Sequence, residues 1–259
     1  MSLDITHILE NWSYKPGQVS ARRVRGDDGR DLIQLRVDLG MLQMETTGRP
    51  DGRKPHGRES LLEHYERNLA RHLQRGDSEE DFTLDERDCE LLRAEGVIFY
   101  HRYLAEFVLE DFAAVERDTE RNLRLMDFCA AHGKEPADRH MLEQYRPYVV
   151  MMWARARAHV RLRDNRPKAA LAAVKEGIKR IEAFYHDFDQ DDMIEHSGEI
   201  AVLRAMAKDA ERRIPLDPVV RLRRDLAKAV SEERYEDAAK LRDRLSHAGA
   251  AETAPADES

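Results

Sequence analysis

The chain has 259 residues, 41% of them apolar and 36% charged, with a formal net charge of −8. That length holds one medium domain with appendages or two small ones, and the modest apolar share suits surface-rich helical structure better than a thick α/β core. The negative balance disfavours a non-specific nucleic-acid binder, because basic residues cluster only at Arg22, Arg23 and Arg25 and again between Arg212 and Arg224.

No apolar run approaches the roughly 18 residues a membrane span needs. Cys89 and Cys129 have no Cys-x-x-Cys partner. The reading is a cytoplasmic, membrane-free protein with two reduced, buried thiols.

Residues 1–57 differ from the rest. Val19 to Val24 and Asp31 to Asp38 are strand-like, and Gly26-Asp-Asp-Gly29 between them is a turn signal, so an N-terminal β-hairpin is expected. Ile33, Leu35, Val37 and Leu39 alternate with mostly polar residues, but past Gly40 the apolar set becomes Leu42 and Met44. A one-residue bulge near Gly40 accounts for that change of face. The longer second strand must then pack on the helical body or on a second copy of the chain. The stretch from Gly48 to Gly57 is dense in Gly and Pro. It reads as a linker, or as a ligand loop presenting Asp38, Arg49, Asp51 and His56.

Residues 58–213 read as helices throughout. Leu61, Tyr65, Leu69 and Leu73 recur every fourth residue, and Thr83-Leu-Asp-Glu86 has the form of a capping box opening the next helix. That helix breaks at Glu110-Asp111 and resumes at Phe112. A comparable pair begins after Pro136, breaks at Asp164 to Pro167, and resumes through Ala169, Val174 and Ile181. The two units, with Gly96, Tyr100, Ala158 and Leu162 as first-helix matches, are similar to tetratricopeptide repeats, though longer. A plain helical bundle is the alternative. Either gives a scaffold whose groove can take a peptide.

Residues 217–247 hold two short amphipathic helices, with apolar positions at Val219, Leu222, Leu226 and Ala229, then Tyr235, Ala238, Leu241 and Leu245. A hairpin this small needs a surface to cover its stripe, which makes it a docking candidate. It carries eight Lys or Arg against seven Asp or Glu, too even a balance for gripping phosphate. Leu222, Leu226, Ala229, Tyr235, Glu236, Ala238, Ala239, Leu241, Arg242, Asp243 and Leu245 resemble the UVR motif shared by UvrB and UvrC. Glu233 stands where that family usually has leucine. The resemblance implies an antiparallel helical hairpin for protein–protein contact, and these eleven residues as its partner-binding set. The acidic, Ala-rich residues 248–259 read as a disordered tail.

The fold class expected is therefore mainly α. A tetratricopeptide-like helical-hairpin array follows a small β-hairpin and precedes a UVR-type hairpin.

No chemistry stands out beside it. Asp187 to Gly198 lacks the Gly and Glu positions of a calcium loop, the histidines show no metal-site spacing, and no nucleophile elbow or nucleotide-binding glycine pattern occurs. No cofactor and no metal are expected. The leading reading is a non-enzymatic adaptor whose hairpin docks a UvrB/UvrC-type protein, a Clp-type chaperone, or a second copy of itself as a homodimer. The rivals are an enzyme or ligand-binding protein using the β-hairpin and the Gly48–Gly57 loop, and a DNA-repair accessory factor.

Overall fold

The computed structural model describes residues 4–13, 15–38, 40–215 and 218–252. Leu39, Asp217 and the tail residues 253–259, all used in the sequence reading, lie outside the described residues. After a short helix α1 (Thr6–Leu9) come three strands, β1 (Ser20–Arg25), β2 (Asp31–Val37) and β3 (Gly40–Glu45). Helices α2 (Leu61–Gln74), α3 (Glu86–Val108), α4 (Phe112–His132) and α5 (Pro136–His140) follow. Then come α6 (Arg146–Arg163), α7 (Pro167–Asp187), α8 (Met193–His196) and α9 (Gly198–Arg213), and last α10 (Pro218–Ser231) and α11 (Tyr235–Glu252). The chain divides into two compact units, Met1–Glu211 and Arg212–Ser259.

The N-terminal region is a three-stranded antiparallel meander, not a hairpin with a bulge. Val37 pairs with Gly40 and Leu35 with Leu42, so the change of face past Gly40 is a tight reversal of the chain. Asp38 turns it with φ +20°. The reversal answers the question the sequence posed about the over-long second strand, because β3 pairs with it. One face of the sheet, Ile33, Leu35 and Met44, packs on Ala105 of α3. On β2 the alternate residues Leu32 and Gln34 are buried as well, and the indole of Trp12 donates to Ser20 Oγ at 2.7 Å.

The helices of the body pack in succession, α3 on α4, α4 on α6 and α6 on α7. Leu92, Val115, Leu125, Trp153, Val174, Ile181 and Leu203 fill the core. Cys89 on α3 and Cys129 on α4 are free and buried in it. Two details depart from the sequence reading. Asp85, not Thr83, caps α3, its carboxylate accepting from Asp88 N at 2.8 Å; the backbone of Leu84 is instead bonded to His132 O and Lys134 N. The segment after Pro136 is also broken, with α5 ending at His140 before α6 starts at Arg146.

Both long hairpins reverse through one device. Glu110 and Asn165 take left-handed backbone, φ +57° and +56°. The next amide in each case reaches back to a carbonyl of the last turn, Asp111 N to Glu106 O at 2.9 Å and Arg166 N to Arg161 O at 2.8 Å. This is the six-to-one bond of a Schellman ending. Asp111 or Pro167 then opens the second helix, Asp111 by capping Ala114 N.

Where α6 and α7 cross, a Cβ on Gly177 would fall 2.4 Å from Ala154 Cβ and 3.2 Å from a Leu203 methyl. Gly177→Ala is therefore expected to lower stability by about 1–3 kcal/mol through overpacking, despite alanine's better helix propensity. Urea unfolding checks this, and an unchanged midpoint would show that the helices can part there.

Charged side chains are buried where the sheet and its following loop meet the helices. Glu95 of α3, wholly buried, accepts the amides of Leu61 and Leu62 at 2.8 and 3.1 Å, and so holds the start of α2. It also pairs with Arg121 and with Arg49 from the loop. Arg102 makes a two-pronged contact with Asp118, at 2.6 and 2.9 Å, and donates to the carbonyls of Glu45 and Gly48.

Candidate protein-interaction site

Helices α10 and α11 form an antiparallel pair joined at Ser231–Arg234. The turn is the one used twice in the body. Glu233 has φ +58°, and Arg234 N reaches Ala229 O at 2.9 Å. The position that holds glutamate in place of the family's leucine is thus the left-handed residue of the turn. Arg234 bonds Glu232 and Asp237, which raise its pKa.

The pairing sorts the candidate residues into two groups. Ala229 and Ala238 are the buried positions of the hairpin, one on each helix, so the small side chains lie where the backbones come close. Leu222, Leu226, Leu241 and Leu245 are half-buried on the same seam. Their first duty is to hold the hairpin. Tyr235, Glu236, Ala239, Arg242 and Asp243 are exposed. Tyr235 is 68% exposed, and Val220 and Val230 are 50% and 52% exposed. Val220 and Val230 carried no weight in the sequence reading, because they fall off the apolar stripe.

Several of the hairpin's charges are paired locally. Arg221 and Arg224 approach Asp225, Lys228 approaches Glu232, and Arg242 approaches Asp243, all within 4.0 Å. Helix α11 continues to Glu252, so residues 248–252, read from composition as part of a disordered tail, are helical.

The polar set of the N-terminal loop is not gathered into one place. Arg49 contacts Asp51 at 3.1 Å and Glu95 at 3.3 Å, so it serves to pin the loop to α3. His56, itself at φ +52°, stacks on His64 of α2 at 4.1 Å. Burial, with His56 adding to it, holds the His64 pKa below the ordinary imidazole value. Asp38 sits at the opposite end of β3, in the β2–β3 turn. Among the described residues, no group of three or more His, Cys, Asp or Glu could hold a metal ion, and no helix is long and apolar enough to cross a membrane.

No curated protein and no solved structure matches this chain. The family model described as the UvrB/uvrC motif matches residues 218–249, the hairpin alone. Those residues are similar to the UVR motif, which in its family is known to mediate protein interactions or DNA-repair contacts.

Proposed function

We propose that the chain is a non-enzymatic cytoplasmic adaptor whose UVR hairpin captures another protein while the helical body serves as scaffold. The observation that carries this reading is the exposure of Tyr235 at the first turn of α11, 68% accessible within the matched motif. An exposed aromatic is the kind of side chain that anchors protein interfaces. The hairpin's near-even balance of basic and acidic residues favours a protein surface over phosphate as its target. The partners proposed are a UvrB/UvrC-type protein, a Clp-type chaperone or a second copy of the chain.

The double substitution Val230→Asp, Tyr235→Asp tests this, because both side chains lie off the seam. It is expected to leave the helical circular dichroism unchanged and to weaken partner capture at least tenfold, a loss of about 1.4 kcal/mol. Sedimentation of the same pair of proteins reads self-association. Undiminished capture together with an undiminished oligomer would sink the proposal.

A further inference from the structure

A groove of about 790 Å³ opens between α3, α4 and the start of α6, within the helical body. Its walls include Tyr100, Tyr103, Leu125, Met126 and Val149, with Tyr145 exposed at the mouth. The volume falls in the range of small-molecule sites, roughly 300–1,000 Å³.

Two observations set this groove apart from the packed core. Tyr103 is only 1% exposed and lines the groove; its hydroxyl bonds no described residue, yet it is not among the side-chain atoms buried without a partner, so what surface it keeps opens on the groove. A tyrosine hydroxyl in apolar surroundings ordinarily takes a hydrogen-bond partner, and the groove is where one can lie. Burial, together with Tyr148 and Tyr100, raises its pKa, so it remains a proton donor.

The second is Gly96, in the middle of α3 and also on the groove. Glycine destabilises a helix interior relative to alanine. Gly177 has a steric reason inside the protein; Gly96 has none, since a Cβ there would meet only a Leu125 methyl at 3.9 Å. Its bare backbone instead extends the groove against α3. The walls carry no charge in the interior. Burial lowers the His101 pKa, and the two charged lining residues, Glu90 and Arg93, are exposed.

We propose that this groove binds a flat, uncharged aromatic molecule lying against the backbone of Gly96 and hydrogen-bonded by the Tyr103 hydroxyl. Tyr100, set edge-on to Tyr103 at 5.5 Å between centroids, supplies an aromatic wall. Such edge-to-face contact is a favoured geometry for stacking rings. The proposal stands apart from the hairpin's role and does not depend on it.

The test titrates N-phenyl-1-naphthylamine, a neutral flat fluorophore, into the full chain. Saturable one-site binding is expected. Gly96→Met, which fills the groove, should weaken it by about tenfold or more. Tyr103→Phe should weaken it by about 3- to 10-fold, the worth of one neutral hydrogen bond, and Gly96→Ala should raise the unfolding midpoint. Absence of saturable binding by the wild-type chain would overturn the proposal. So would unchanged affinity in Tyr103→Phe, a variant that keeps the core volume and decides the matter even if Gly96→Met fails to fold.

Discussion

Arg102→Met is expected to lower the unfolding free energy by about 3–5 kcal/mol, the cost of leaving buried charges without their partner. Arg102 and the carboxylates it serves, Asp118 and Glu106, are each 1% exposed. The guanidinium bonds Asp118 twice, lies 3.7 Å from Glu106, and donates to the carbonyls of Glu45 at 3.1 Å and Gly48 at 2.8 Å. It therefore satisfies buried acids and fastens the end of β3 to α3 in one contact. Methionine retains most of the volume and none of the donors. Urea denaturation followed by circular dichroism measures the loss, and a change under about 1 kcal/mol would contradict it. Arg102→Met with Asp118→Leu should recover part of the stability, since apolar replacement of a whole buried pair is often nearly neutral.

The second large effect is a fall in stability as pH rises, with Glu106 as its source. Burial is the main cause that pushes the Glu106 carboxyl up to about 8, and the neighbouring Asp118 adds to it. Arg117 and Arg102 pull the other way, while Asp111 contributes weakly upward. One oxygen, Oε2, is buried without a hydrogen-bond partner, which fits a carboxyl that is costly to ionise.

A folded-state pKa above the unfolded one means that the native chain holds the proton longer. The group's contribution is then full below about 4.5 and is lost as pH climbs through about 8. Stability should drop by on the order of a few kcal/mol between pH 5 and 9. Glu106→Gln, uncharged throughout, should remove most of that slope. Denaturant unfolding at fixed ionic strength across this range decides it, and equal slopes in the two proteins would refute the assignment.

Much of the helical architecture was legible because its signals are local. Apolar residues at helical spacing, broken at Glu110-Asp111 and at Asp164 to Pro167, located α3, α4, α6 and α7. The run from Tyr235 to Asp243 located the hairpin. The third strand was missed for a physical reason. A change of apolar face at Gly40 fits a bulge as well as a two-residue reversal, and Asp38 gives none of the glycine signature such a turn usually shows. The capping-box pattern at Thr83 failed because backbone pairing of Leu84 held that segment extended, leaving Asp85 to cap.

The candidate sites were legible unevenly. Leu222 and Leu226 were found by their periodicity, which marks the seam of the hairpin; Val220 and Val230 were not, because exposed apolar residues have no period. Nothing in the sequence separates Glu95, Arg102, Glu106 and Asp118 from the chain's many other charged residues; they are buried only in the folded chain. The groove at Gly96 and Tyr103 is assembled from helices far apart in sequence. In the sequence Gly96 stood only as a repeat-like first-helix match, so the groove was not legible there.

The measurement that tests the account most directly is affinity capture from native lysate with three baits: the intact chain, a chain ending at Pro215, and the Val230→Asp, Tyr235→Asp variant. The account predicts a protein held by the intact chain and lost from both others. The same catch on all three baits would contradict it, and would leave the UVR hairpin without a docking role.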